Sequence, residues 1–350
     1  MQKGFWGKLN KPIFGLSPMD GVTDASFRFI VAKYGDPDII LTEFVSVEGI
    51  SAGADILLDD FIYSDMERPI VAQIFGATPE AFYKTAPLLC ELGFDGIDIN
   101  MGCPDKNVAK RGGGAGLIRT PELAKDIIRS VQIGVRDWVN GKSLEEFGLS
   151  ESIINKAKNR KTEIRKIEIP ISVKTRIGYD DIVIEEWVKH LLEMEPANIS
   201  IHGRTLKQMY TGLADWDAIG RAAEIIKKTD TLVLGNGDIK DLISANSSIE
   251  KYGLDGVLIG RAVFGNPWIF SNAEVSISDK LDVAIEHAKH FEKIFKDRKF
   301  YNMKKHLSWY SHGFFGAKEL RIRLMKASNA TECESIISEF EMGIKSLTLE

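Results

Sequence analysis

Leu232-Val233-Leu234-Gly235-Asn236-Gly237-Asp238 and Gly256-Val257-Leu258-Ile259-Gly260-Arg261 share one pattern: a short apolar run with no alternation, ended by glycine and a polar residue. A strand that is apolar throughout is buried on both faces, as in a parallel sheet covered by helices. Runs of the same kind precede these two, at Ile13–Leu16, Ile39–Thr42, Ile70–Ile74, Gly96–Ile99, Ile171–Lys174 and Asn198–Ile201. Segments with helical spacing lie between them, among them Asp24–Tyr34, Pro79–Leu92, Pro121–Val135, Ile182–Met194 and Ala214–Lys228. Thr78-Pro79-Glu80 and Thr120-Pro121-Glu122 each put a capping hydroxyl before a proline at the first helical position. Eight strand–helix units in one domain predict an α/β fold closed as a (β/α)8 TIM barrel, in preference to an open doubly wound sheet.

Working outward, the connection from Arg136 to Glu168 is too long for a barrel, whose helix-to-strand loops usually run about 2–6 residues. It predicts a surface insertion with a helix or two, and its charged run Lys156–Lys166 reads as a solvated face because acids are interleaved with the bases. After the eighth unit the strand-like runs stop, and Leu281–Asp297, Met303–His312, Glu319–Ala327 and Glu332–Ser346 all carry helical patterns. The barrel is therefore expected over residues 1–275 and a small all-helical domain over 276–350. Residues 281–326 hold eleven Lys and Arg against five Asp and Glu, a local +6, so the rest of the chain carries −11 within a total of −5. A basic helical module on an acidic barrel points to a polyanionic partner met by one end of the molecule.

The 350 residues are 44% hydrophobic, which provides for a large core and excludes a wholly disordered chain. Cys90, Cys103 and Cys333 are few, odd in number and far apart, which argues against a disulfide framework and for a reducing compartment. No zinc spacing occurs, so no metal is expected. Met1–Asn10 lacks the apolar run of a secretion signal, and no stretch approaches the roughly 20 apolar residues of a membrane span. A monomeric cytoplasmic protein without membrane contact is expected.

In such a barrel, chemistry collects at the C-terminal ends of the strands. Those positions are Pro18-Met19-Asp20, Glu43, Gln73, Asn100 to Cys103, Lys174 with Arg176, His202 with Arg204, Asn236-Gly237-Asp238 and Gly260-Arg261. The glycines after the seventh and eighth strands suit close approach of a phosphate, where barrels often bind one. Lys174 closing an apolar strand is hard to read as core, because lysine is rarely buried unpaired. It suits either a cation beside a reduced flavin or a Schiff base. Cys103, on a loop between Gly102 and Pro104, is set for chemistry, whereas Cys90 and Cys333 read as structural. The segment Lys106–Gly116 is neither a P-loop nor a dinucleotide fingerprint, and its glycines suggest a mobile flap over a substrate. His287 and His290 read as helix-surface residues.

Ser17-Pro18-Met19-Asp20-Gly21-Val22-Thr23-Asp24 and Asn100-Met101-Gly102-Cys103-Pro104 resemble the tRNA-dihydrouridine synthases, with the bacterial B-type branch nearest. The likeness continues through Ser172–Arg176, Ile201–Thr205, Gly235–Asp238, Gly260–Ala262, Lys304–Tyr310 and Gly316–Arg321. It implies FMN bound through Pro18, Met19, Gln73, Lys174, His202, Asn236, Gly237, Asp238, Gly260 and Arg261, with Asp20 beside the cofactor. It implies NADPH as reductant, hydride passed from flavin N5 to C6 of a tRNA uracil, and Cys103 as the acid that protonates C5. It further implies that Asn100, Arg176 and Arg204 orient the base or its phosphate, and that Lys305, His306 and Arg321 hold the tRNA body. Asp20 stands where the family commonly has alanine, the insertion is unusual, and Gly113-Gly114 enrich the loop after the cysteine. Two rivals are a flavin barrel acting on a free pyrimidine, such as a dihydroorotate dehydrogenase, and a tRNA-binding protein that keeps the barrel as a scaffold.

Overall fold

The computed structural model describes residues 3–160, 164–271 and 273–347. Eight parallel strands close into a barrel in chain order: β1 (Ile13–Leu16), β2 (Ile39–Ser46), β3 (Ile70–Phe75), β4 (Gly96–Met101), β5 (Ile171–Gly178), β6 (Asn198–Thr205), β7 (Leu232–Asn236) and β8 (Gly256–Ile259). The helices are α1 (Ala25–Gly35), α2 (Val47–Ser51), α3 (Pro79–Glu91), α4 (Lys106–Lys110), α5 (Pro121–Val139), α6 (Glu151–Lys158), α7 (Ile184–Leu192), α8 (Trp216–Ile226), α9 (Leu242–Tyr252), α10 (Ile277–Ile294), α11 (Lys304–Tyr310), α12 (Ala317–Leu324) and α13 (Ala330–Leu347). All eight strands begin where the apolar runs predict. Several end later, because residues such as Asn100 and Arg176 continue the ladder with polar side chains.

The barrel interior is divided into sectors. Ile13, Ile39, Leu41, Val71, Leu232, Leu234 and Leu258 make an apolar cluster joined by Trp6 and Ala197. The opposite sector, from β3 to β6, is polar. Gln73 pairs in register with Asp98, Asp98 with Ser172 and Ser172 with Asn198, while the next row sets Asn100 beside Lys174 and Lys174 beside Ser200. Buried polar groups persist only where they are satisfied, so this sector must carry its own hydrogen-bond network.

The long connection folds onto the barrel. Leu144, Phe147, Leu149, Ile153, Ile154 and Ala157 are buried. Lys156 pairs with Asp59 at 2.7 Å and Lys158 with Glu145 at 2.8 Å. Arg160 donates to the carbonyls of Phe61 and Leu58, and Lys166 to that of Trp138. These cations are thus engaged with the protein's own groups.

Contacts divide the chain into two compact units, Met1–Thr23 with Asp38–Gly260, and Asp24–Pro37 with Arg261–Glu350. The second unit starts before residue 276 and takes in α1. The cause is local: Gly35 allows the chain to run against Pro267, whose carbonyl oxygen would lie 2.2 Å from a Cβ there, and Tyr34 meets Trp268 edge-on at 5.7 Å.

His287 is not a surface residue. It is fully buried, and its Nδ1 lies 3.2 Å from the Tyr310 hydroxyl. His290 is half-buried and stacks on Phe29 at 4.0 Å. The reason is that α10 packs on α1 along this face, and a histidine offers a flat ring as readily as a charge. His306 is also buried, between Phe27, His287 and Trp309, with neither ring nitrogen bonded to another group. Burial pushes the His287 pKa down to about 3 and the His306 pKa well below its ordinary value. Both rings are then neutral in the fold yet protonate near pH 6.5 when unfolded. Below that pH the unfolded state binds more protons, so stability falls as pH falls, by about 1.4 kcal/mol per unit for each ring. Urea unfolding between pH 7.5 and 5.0 is expected to follow this, and His306→Leu should remove one ring's share of the slope. An unchanged slope in that variant would refute the neutral buried histidine.

Candidate active site

Cys103 sits where β4 turns out of the barrel. Asn100 makes the turn: its side-chain oxygen accepts from the N–H groups of Gly102 at 3.0 Å and Cys103 at 2.8 Å. Cys103 is only 6% exposed. Burial raises its pKa above the ordinary thiol range against the bond that the Asp105 N–H gives the sulfur; the negative charges of Asp105 and Asp20 add to the rise, and Arg176 opposes it. A thiol held in this way keeps its proton at neutral pH and is an acid, not a nucleophile.

The loop after it is packed tightly. Gly113 lies against the Gly76 carbonyl, Gly116 lies against that of Ala109, and the Ala115 N–H donates to the Cys103 carbonyl at 3.2 Å. A Cβ at Gly113 would come within 2.8 Å of the Gly76 oxygen. These glycines permit backbone-on-backbone packing, which accounts for them without a flap.

Behind the turn lies the polar sector. Gln73 donates to Asp98 at 2.7 Å and accepts from Asn100 at 2.9 Å, while Ser172 donates to the other Asp98 oxygen at 2.7 Å. Asp98 is fully buried, and burial pushes its pKa up to about 6 against the opposing bonds from Gln73 and Ser172. Asp98 lies inside an apolar strand, where an ionisable residue is hard to recognise from sequence. The alternation Ile97-Asp98-Ile99-Asn100 was the available signal: it puts the aspartate on the same face as the asparagine. Lys174 has one weak bond, to the Asn236 side-chain oxygen at 3.3 Å. Burial, with help from Arg176, lowers its pKa to about 8, although Asp98 and Cys103 pull it upward.

Both strand-end arginines are built into the protein. Arg176, 2% exposed, donates to the carbonyls of Gly102 at 2.7 Å, Thr205 at 3.1 Å and Met209 at 3.0 Å. Arg204 forks onto both Asp238 oxygens at 2.9 and 2.7 Å, reaches the Gly212 carbonyl at 2.7 Å, and lies 3.1 Å from His202 Nε2. The family resemblance implies that both orient the base or its phosphate. Here they hold the Cys103 turn and the loops after β6 and β7.

After β7 the chain takes a conformation that suits glycine. Gly237 has φ +125° and Asp238 φ +55°. A Cβ at Gly237 would meet Ala214 at 2.7 Å and His202 at 3.2 Å, so glycine is what lets this turn pack against those two residues. Gly260 lies near Met19 and Ser17 in the same unit. Arg261, Lys305 and Arg321 belong to the second unit, with His306 beside them in sequence but buried. Arg321 donates to the Ser311 carbonyl at 3.1 Å. Among the described residues no cluster of His, Cys, Asp and Glu could hold a metal, and no helix is long and apolar enough to cross a membrane.

The family model described as "Dihydrouridine synthase (Dus)" matches residues 15–142 and 151–344. A Staphylococcus aureus (strain MRSA252) protein named "Probable tRNA-dihydrouridine synthase" is 36% identical over 97% of this chain and 97% of its own length. A Bacillus subtilis (strain 168) protein named "Probable tRNA-dihydrouridine synthase 2" is 35% identical over 97% of this chain and 98% of its own.

Proposed function

The chain belongs to the dihydrouridine synthase family of oxidoreductases, and from that premise we propose that it reduces the C5=C6 bond of one uridine in tRNA, using FMN and NADPH. The observation that carries this reading is Cys103, a buried thiol whose proton is retained, on a rigid turn beside a polar barrel interior.

The residues suit FMN. Lys174 has ammonium donors and only one weak acceptor, so a carbonyl edge or developing negative charge would satisfy it. Gly237 takes φ +125°, a conformation that suits glycine, in the loop after β7, where barrels often bind a phosphate. Gln73, Lys174, His202 and Asn236 would line the ring system. Pro18, Met19, Gly237, Asp238 and Gly260 would hold the remainder. Asp238 would contribute its backbone, because Arg204 and the Ala214 N–H already engage its carboxylate. When bound, FMN supplies a hydride to C6 of the uracil.

Hydride addition leaves enolate-like charge beside C5, which a nearby acid must quench. Cys103 gives that proton. Asp20 supports it from a distance, since its negative charge helps keep the thiol protonated. Asn100 and Arg176 hold the turn from which Cys103 acts. The target base must leave the tRNA stack to reach a barrel mouth. Lys305 and Arg321, both partly exposed, would meet tRNA phosphates. His306 is withdrawn from that set, since its buried ring cannot reach RNA without unfolding its surroundings.

Mass spectrometry of tRNA after incubation with the protein, FMN and NADPH tests the reading. The expected result is a gain of about 2 Da, two hydrogens, on one mapped uridine. A flavin-loaded, NADPH-reducible protein that leaves every unmodified tRNA unchanged would overturn it in favour of a free-pyrimidine substrate.

A further inference from the structure

The side chains behind the Cys103 turn form one chain with a direction. An ionised carboxylate only accepts hydrogen bonds, and a backbone N–H only donates. At one end, Asp98 accepts from Ser172 and from Gln73 Nε2, each at 2.7 Å. At the other, the N–H groups of Gly102 and Cys103 donate to Asn100 Oδ1. Between them Asn100 Nδ2 donates to Gln73 Oε1 at 2.9 Å. Either amide could flip in isolation. Here a flip of Gln73 would turn its oxygen towards the carboxylate, and a flip of Asn100 would turn an NH2 group towards two N–H donors. The two ends thus fix both amides.

We propose that Asp98 is a positioning residue for Cys103: by accepting from Gln73 it orients the Gln73 and Asn100 amides, and so fixes the turn that carries the thiol. The assignment of Cys103 as acid rests on the proposed function, but the relay itself does not. Asp98 reaches the turn through the two amides, and its charge separately bears on Lys174. Its retention as a buried carboxylate, which burial disfavours, is explained by this directional role. A neutral apolar residue would pack in the same strand yet leave Gln73 free to turn.

The structure separates polarity from charge. Asn in place of Asp98 can still present an oxygen to Gln73, with its NH2 donating to Ser172 Oγ. Leu cannot accept at all. The experiment compares Asp98→Asn, Asp98→Leu and Gln73→Met, the last breaking the chain one link later and guarding against a Leu variant that fails to fold. Two quantities are read on the purified flavin-loaded protein: the pH profile of iodoacetamide alkylation at Cys103, by peptide mass spectrometry, and the single-turnover rate of tRNA reduction.

Loosening of the turn in Asp98→Leu and Gln73→Met is expected to expose the thiol and raise its alkylation rate about 10-fold, with the profile moved to lower pH. tRNA reduction should fall about 100-fold, the scale of a misplaced reacting group. Asp98→Asn should stay within about 3-fold of wild type in both. A wild-type alkylation profile in both Asp98→Leu and Gln73→Met would overturn the relay. So would an Asn variant as impaired as the Leu variant, because the charge would then be what matters. If wild type reduces no tRNA, the proposed function fails, while the alkylation profiles still decide the relay.

Discussion

Cys103→Ala is expected to bind FMN and oxidise NADPH at close to the wild-type rate while reducing tRNA uridine roughly a thousandfold more slowly, within the range by which positioned acids accelerate proton transfer. The separation follows from the site. Cys103 makes no side-chain hydrogen bond to the residues proposed for the cofactor, and its turn is held by its own backbone, through the Asn100 oxygen and the Gly114–Ala115 packing. Removing the sulfur therefore costs the turn one bond, from the Asp105 N–H, and leaves the backbone bonds that hold it. Stopped-flow kinetics with NADPH and then with tRNA separates the two halves. Burial also holds the thiol above its ordinary range, so the wild-type enzyme should not lose its acid between pH 7 and 8.5. Cys103→Ala turning over tRNA at the wild-type rate would remove the thiol from the reaction. Loss of NADPH oxidation as well would make it a structural residue of the cofactor pocket.

The barrel was legible because its strands are buried on both faces: apolar runs of the same make recur, and their starts coincide with the observed ones. The ends of β2 to β7 were not. In β5 the apolar run stops at Lys174, yet the strand continues through Arg176 to Gly178, and between them the two side chains meet Asn236 and several backbone carbonyls. The convergence of Gln73, Asn100, Cys103, Lys174 and His202 in the first unit was readable as polar residues at strand ends. Their mutual bonding was not, because it depends on register, which puts Gln73 beside Asp98 and Asp98 beside Ser172. The pairing of Arg204 is hidden for the same reason. Its partner Asp238 lies 34 positions away, and only the fold shows that the pair neutralise each other. His287 and His306 defeated a reading by residue type: a histidine that stays neutral packs as an aromatic, and the sequence carries no mark of that neutrality.

Lys174→Met is expected to weaken FMN binding by about 10–100-fold, the scale of one charge-assisted hydrogen bond of about 1.5–3 kcal/mol. In the protein alone, the amine has only the 3.3 Å bond to Asn236, while burial and the nearby Arg176 lower its pKa to about 8. It is therefore still mostly protonated at pH 7, and it lacks the acceptor that FMN would bring. The sign of the pH dependence follows. Deprotonation removes the charge that the cofactor would meet, so wild-type affinity for FMN should decline as pH rises through about 8. The decline involves one proton and should vanish in Lys174→Met, whose weak affinity should be flat over the same interval. Lys174→Arg should not restore binding, because a planar guanidinium is bulkier than an ammonium and the adjoining rows of Asn100 and Ser200 leave it no carboxylate partner in register. Fluorescence quenching of FMN titrated with apoprotein from pH 6.5 to 9.5 measures all three proteins. Equal affinity of wild type and Lys174→Met at pH 7 would show that the lysine does not touch the cofactor. A wild-type curve that falls in parallel with that of Lys174→Met would assign the titration to another group.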